Sequence, residues 1–202
     1  MTANIVWREE WKRPYESVWS LFENLKIANS VTGSDLLFYI ANKRGRTHVN
    51  KLSEETHTKL KELTRIDFNE INQSMLKLSK FERNNPLHYF HTHLCYCVEC
   101  VRYNFHSYLH QYKLVDICPF HLSELKRNCE VCEKEIYYFN FAFHIPFTCK
   151  CGAQLYQTVQ EPVWKNWAEF NPCLDLTILD ENSELTDREH SLQRLIHKII
   201  NN

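Results

Sequence analysis

Cysteine and histidine side chains at short, regular spacings are the residues of this sequence best suited to chemistry. Each of four pairs has one or two residues between its members, and all lie within residues 97–151: Cys97 with Cys100, Cys118 with His121, Cys129 with Cys132, and Cys149 with Cys151. At such spacing a tight turn aims both ligand atoms at one point, and two turns complete a tetrahedron around zinc. The pattern therefore predicts two zinc ions.

The order of the pairs predicts which of them share an ion. Seven residues separate His121 from Cys129, whereas interlocked RING-type sites usually have two or three residues at this point. The gap favours two consecutive sites, the first formed by Cys97, Cys100, Cys118 and His121, and the second by Cys129, Cys132, Cys149 and Cys151. Because each site has four protein ligands, neither keeps a position for a catalytic water, and both ions are predicted to be structural.

Two cysteines and several histidines remain outside these sites. Cys95 is an alternative to Cys97 as a ligand, and Cys173 is expected to be a small buried apolar residue. A His-x-His pair without a nearby carboxylate is more typical of surface or packing residues, so no third metal is predicted from the histidines at 88, 91 and 93. His106 and His110 are expected to take part in aromatic packing and hydrogen bonding, or to support the ligands from behind.

Apolar periodicity predicts that helices precede these pairs. We expect a first helix over Glu16–Asn29 and a shorter second helix through Ile40, capped by Thr32 or Ser34 with Gly33 in the turn. A third helix from Ser53 carries one apolar side, formed by His57, Leu60 and Leu63. A fourth, Asp67–Leu78, begins with a capping box completed by Glu70.

The third and fourth helices have the length and short connection of a helix-turn-helix. The same pattern also fits a small helical bundle that binds no nucleic acid, and both interpretations stay open. If the chain contacts DNA, the phosphates are expected to meet the basic residues of this half: Lys43, Arg44, Arg46, Lys59 and Arg65.

Composition narrows the class of protein. The 24 Lys and Arg against 25 Asp and Glu make a protein that coats nucleic acid implausible, so any DNA contact is local. Three glycines and the absence of a GxxxxGK[ST] or HExxH pattern argue against an ATPase or a metalloprotease, and no Ser-His-Asp constellation is recognisable, so no enzyme is predicted. Without a signal sequence or a run of about 20 apolar residues, we expect a cytoplasmic protein that spans no membrane.

The chain is predicted to be mainly α with small β elements and to have three parts. Residues 1–86 form the helix-turn-helix-like bundle, and residues 87–160 form a tandem zinc-finger domain. Residues 161–202 are an acidic segment, with four basic against eight acidic side chains, that ends in an amphipathic helix beginning near Thr186.

The cysteine-rich stretch resembles the TniQ/TnsD family of transposon target-selection proteins. The likeness covers about residues 14–155, which is most of the chain. It is carried by Glu16 to Leu21, Cys97-x-x-Cys100, His106 to Gln111, Val115 to His121, Leu125, and Cys129-x-x-Cys132. Val98 departs from the pattern, because the family usually has proline after the first cysteine.

The resemblance implies a bacterial adaptor of Tn7-like transposition without catalytic activity. Such proteins recognise target DNA or a guide-RNA effector complex and recruit a TnsC-like AAA+ ATPase regulator. The target sequence, the mode of targeting and the oligomeric state, including a homo-oligomer, stay open. So does the alternative of a zinc-containing helix-turn-helix transcription regulator, and a RING-like interaction domain is the weaker alternative.

Overall fold

The computed structural model describes residues 5–41, 53–68, 90–113, 115–138 and 145–156. Helix is the main regular secondary structure in these ranges, as predicted, and β structure there consists of isolated antiparallel bridges. These ranges contain the helices α1 Val18–Asn29, α2 Gly33–Ala41, α3 Glu54–Thr64 and α4 Val98–Arg102. None of the helices in the described ranges has the length and apolar character needed to cross a membrane.

The start of α1 is fixed by a serine cap. The Ser17 hydroxyl accepts a hydrogen bond from the backbone N–H of Ser20, which would otherwise have no partner in the first helical turn. The helix ends at Asn29 because Ser30 adopts a left-handed conformation with φ 52°. Glu16, the predicted first residue, lies just outside the helix and has a different role, described below.

Nearly the whole circumference of α1 is buried, although the sequence predicted a single apolar face. Every residue from Val18 to Lys26 is buried. Two of them form an enclosed ion pair in which Lys26 Nζ lies 2.7 Å from Glu23 Oε1. Burial raises the pKa of Glu23, and Lys26 together with the backbone N–H of Phe147 opposes that rise. The helix is therefore surrounded by protein, with the segment around Phe147 on one side.

Helix α2 packs against both α1 and α3. Thr32 caps it, accepting from the backbone N–H of Asp35 at 3.1 Å and donating to the Asp35 carboxylate at 2.7 Å. Gly33 is the first residue of α2 and does not lie in the preceding turn. Leu36, Leu37 and Ile40 supply the buried face.

Ser53 caps α3 by accepting from the backbone N–H of Thr56 at 3.3 Å. The buried residues are Thr56, Leu60 and Thr64, which follow one another at intervals of four. His57 and Leu63, predicted to face inward with Leu60, are only half-buried. The buried face of α3 therefore contains two threonines in place of the predicted His57 and Leu63. The Thr64 hydroxyl donates a hydrogen bond to the Leu60 carbonyl.

Of the predicted fourth helix, only Asp67 and Phe68 lie in the described residues, where the Phe68 ring packs 5.4 Å from that of Phe22. The helix-turn-helix interpretation, the C-terminal amphipathic helix and the environment of Cys173 lie outside the described residues and stay predictions.

A buried polar network joins α1 to the cysteine-rich segment. The Glu16 carboxylate accepts from the Ser20 hydroxyl at 2.7 Å, the Asn24 amide at 2.8 Å and the Arg13 backbone N–H at 3.0 Å. The Asn104 carbonyl, some 80 residues away, accepts from both Asn24 and the Arg13 guanidinium. The helices and the cysteine-rich segment therefore share their interior, while the predicted boundary near residue 86 lies outside the described ranges.

Candidate metal centres

The first predicted quartet converges on one point. The Sγ atoms of Cys100 and Cys118 are 3.6 Å apart. His121 Nδ1 lies 3.6 Å from Cys97 Sγ, 3.2 Å from Cys100 Sγ and 3.8 Å from Cys118 Sγ. A tetrahedral zinc site with Zn–S bonds of about 2.3 Å and a Zn–N bond of about 2.0 Å has ligand separations of about 3.5–3.8 Å. Three of the four distances lie in this range, and the distance between His121 and Cys100 is shorter. These four residues therefore fit one tetrahedral ion.

The second quartet fits the same geometry. Sγ of Cys129 lies 3.7 Å from Sγ of Cys151, and Sγ of Cys132 lies 3.7 Å from Sγ of Cys149. All four sulfur atoms lie within 4.8 Å of one another. The two groups of ligands are consecutive along the chain, with Cys97 and not Cys95 in the first.

The same turn builds the second and third ligand pairs. The backbone N–H of Cys118 bonds to the carbonyl of Ser123, and the N–H of Leu122 bonds back to Cys118. Cys129 repeats both bonds at the same offsets with Lys134 and Glu133. Leu122 and Glu133, each four residues after the cysteine, have positive φ angles of 54° and 57°. This repeated bond pattern is what aims two ligands spaced by two residues at one point.

The fourth pair uses a turn one residue shorter. The N–H of Cys149 bonds to the Ala153 carbonyl and that of Gly152 bonds to the Cys149 carbonyl. The residue with positive φ is Gly152, at 89°. The shortened turn matches the single residue between Cys149 and Cys151. By contrast, the first pair lies on a helical turn, with Cys97 as the N-terminal cap of α4 and Cys100 within it.

Polar groups surround the first group of sulfur atoms. Cys118 Sγ accepts from the backbone N–H of Phe120 at 3.4 Å, and Cys97 Sγ lies 3.2 Å from the Ser123 hydroxyl. His110 Nε2 is 3.4 Å from Cys118 Sγ. Burial holds the pKa of His110 well below its usual value, so the ring is neutral. His110 therefore lies beside the ligand sulfur atoms, and its ring also packs against those of His106 and Phe120, as expected for a residue of an aromatic cluster. Support of bound metal ligands by His110 stays a prediction.

The close spacing of the sulfur atoms in the first quartet favours the binding of a cation. Hydrogen bonds from the Cys100 and Cys118 thiols lower the pKa of Cys97, while burial raises the pKa of Cys100. One sulfur can therefore ionise at the expense of its neighbours, because several negative charges this close repel one another in a buried place. A divalent ion removes that conflict, since coordination stabilises each thiolate.

Two of the five candidate DNA-binding residues lie within the described residues. Lys59 is exposed on α3, and Arg65 is exposed at the C-terminal cap of that helix. The basic residues at 43, 44 and 46 lie outside the described residues. DNA contact by this set stays a prediction.

Apolar side chains lie exposed beside the ligands. Val131, between Cys129 and Cys132, is 73% exposed, Leu122 is 55% exposed and Ile117 is 41% exposed. Aromatic residues near the two quartets are instead mainly interior, including Phe105, Tyr112, Tyr138 and Phe147. Among the aromatic residues that the structure describes in the cysteine-rich part of the chain, Tyr103 and Tyr137 have substantial exposure.

No protein-family model matches the chain, and no curated protein matches its sequence. The likeness to target-selection proteins therefore depends on the motif residues alone and stays a prediction.

Proposed function

We propose that the protein is a non-enzymatic adaptor whose surface is held in shape by two structural zinc ions. Within a Tn7-like element it would link target DNA or a guide-RNA effector complex to a TnsC-like AAA+ regulator. The observation that carries the proposal is the pair of four-ligand groups, each complete without a solvent ligand.

The enclosure of the first group of ligands supports a structural role for its ion. Cys97, Cys100 and Cys118 are fully buried, and the core around them includes Phe105 and Phe120. An ion there has its coordination completed by protein atoms, so a substrate has no position at the metal. Its contribution is to hold turns that lack a long helix or strand to stabilise them.

The exposed apolar side chains beside the quartets support a protein partner. Ile117, Leu122 and Val131 are neighbours of ligand residues, so bound zinc would fix the backbone that presents them. Apolar residues held on rigid turns lose little conformational freedom on binding, which suits interface anchors. The balanced charge of the chain also suits specific protein contacts more than general DNA binding.

The two alternative functions, a RING-like domain and a transcription regulator, require different arrangements of ligands and different partners. A RING-like domain interleaves its ligands, whereas these two groups are consecutive. A zinc-containing transcription regulator is compatible with the same groups, and it is distinguished by its partners, because it would act without a transposase.

The test uses the full chain with the element's AAA+ regulator, transposase and donor DNA. We expect omission of the protein to abolish targeted insertion while leaving ATP hydrolysis by the regulator intact. The double variant Leu122→Asp with Val131→Asp should weaken capture of the regulator by at least about tenfold, because charge is placed in an apolar interface.

The control is Val6→Asp, which places one such charge on an exposed apolar residue whose backbone bonds to Asn29 at the end of α1. It should bind like the unaltered protein, and zinc content should be equal in all three. Unchanged target choice when the protein is left out would contradict the adaptor function and favour the transcription regulator.

A further inference from the structure

A third group of potential ligands lies just before the first quartet. His91, His93 and Cys95 alternate along the chain, and one ligand atom from each lies within 4.8 Å of the others. The two imidazole centroids are 4.7 Å apart. Alternation places side chains on the same side of an extended segment, which explains how three residues so close in sequence converge.

One buried side chain holds all three residues in register. The Gln111 amide donates to the carbonyls of His91 at 3.2 Å and His93 at 2.9 Å, and its oxygen accepts from the Cys95 N–H at 2.8 Å. The His91 N–H bonds to the Gln111 carbonyl at 2.8 Å. Gln111 is fully buried, so these bonds are shielded from water. The ligand positions are therefore preorganised by a second layer of contacts, as in natural metal sites.

His91 also carries an unsatisfied atom. Its Nε2 is buried and has no hydrogen-bond partner within the part of the chain that the structure describes. Buried polar atoms are nearly always paired in folded proteins, because an unpaired one loses its hydration without compensation. A bound metal ion is a partner of the right kind for a neutral imidazole nitrogen.

We propose that His91, His93 and Cys95 form a third metal site that takes a transition-metal ion such as Zn²⁺. Two imidazoles and one thiolate are donors that such ions prefer over Mg²⁺ or Ca²⁺. The Glu135 carboxylate lies 3.6 Å from His93 Nδ1, so negative charge stands beside the site. With three protein ligands, the fourth position is open to water or an exogenous ligand, and the ion exchanges more readily than those in the closed quartets.

The sequence alone predicted no third metal, because the histidine pair had no acidic residue near it. Glu135 is 42 positions from His93 along the chain, and the antiparallel bridge between His93 and Tyr137 brings it close. Tertiary contact, which local spacing does not reveal, changes the interpretation of this pair.

The test measures metal stoichiometry on the full chain. Protein loaded with two zinc ions is dialysed against Zn²⁺ or Co²⁺, and bound metal is counted by mass spectrometry of the digested protein. We expect a third equivalent that a mild chelator removes while two remain. Bound Co²⁺ should show the thiolate charge-transfer absorption of a cobalt–cysteine site.

Three variants make the test specific. His93→Gln, at a partly exposed position, should weaken the third equivalent by at least about tenfold, and Cys95→Ser should abolish its charge-transfer band. His57→Gln on α3 is the control, since it removes a half-buried imidazole elsewhere, and it should leave all three equivalents in place. Two equivalents at saturation in the unaltered protein would overturn the proposal. So would a third equivalent whose affinity is the same in His93→Gln, whether or not Cys95→Ser folds.

Discussion

His106 illustrates at the scale of one residue how α1 is tied to the cysteine-rich segment. The side chain is completely buried, with its ring edge-on to Trp19 at 5.4 Å. Its Nε2 lies 2.8 Å from the Cys95 carbonyl, which only accepts, so this nitrogen carries the proton. The Nδ1 atom then accepts from the Ser17 hydroxyl, also at 2.8 Å. Both nitrogens are satisfied in the neutral ring.

This arrangement predicts acid sensitivity of folding. Burial lowers the pKa of His106 from 6.5 to about 4, so the unfolded chain binds a proton that the folded chain excludes. Stability is therefore complete above the unfolded value and falls as the pH drops towards the folded value. From about pH 7 to about pH 5 the expected loss from this group is about 2 kcal/mol.

Urea unfolding of zinc-loaded protein at the two pH values measures that loss. His106→Gln keeps a polar side chain without the titration, so its loss over the same range should be smaller by about 2 kcal/mol. Both proteins have the same metal ligands, so acid release of zinc affects both. An equal loss in the two proteins would show that His106 does not carry the effect.

The roles of some residues could be predicted from the sequence, and the roles of others could not. The eight quartet ligands were predictable because each pair is set by spacing of one or two residues. Ser20 and Asn24 are polar residues of α1 that are nevertheless buried, and both donate to the Asn104 carbonyl, 84 and 80 positions away. Polar residues paired across such distances carry no local signal.

At the scale of elements, the caps of α2 and α3 were predictable because a hydroxyl and an N–H three residues later form them. The helical turn of α4 and the choice of buried face on α3 were not predictable. Both depend on the residues that pack against the helix, and apolar periodicity does not specify these.

Two residues with positive φ angles, in the turns of the third and fourth ligand pairs, predict different effects of substitution. Gly152 has φ 89°, and a Cβ there would meet no atom within 4 Å, so Gly152→Ala adds backbone strain without a clash. We expect a loss of about 1–2 kcal/mol. Glu133 already has a side chain at φ 57°, so Glu133→Gly should be neutral or stabilising.

Denaturant unfolding of zinc-loaded variants measures both changes. Metal content of each sample must be equal, because loss of an ion would mask a difference of this size. A Gly152→Ala protein as stable as the unaltered one would contradict the role given to the shortened fourth turn.

At the scale of the whole molecule, the two quartets belong to different parts of the interior. Cys129 and Cys149 lie in the core that also contains α1, α2 and Leu60 of α3, while the first quartet lies in a second core with Phe90 and Phe120. The polar network of Glu16 and Asn104 and the His106 bridge run between these regions. Each ion is thus expected to support a separate part of one connected surface.

The central claim is that two consecutive groups of four protein ligands each hold one ion. It is tested most directly by replacing zinc with ¹¹³Cd in the full chain and recording proton–cadmium correlations. The proteins compared are the unaltered chain and His93→Gln, each with two equivalents of metal. We expect two cadmium signals in both, one coupled to Cys97, Cys100, Cys118 and His121 and the other to Cys129, Cys132, Cys149 and Cys151. A signal that couples Cys97 and Cys100 together with Cys129 and Cys132, or a cadmium with fewer than four protein ligands, would contradict it.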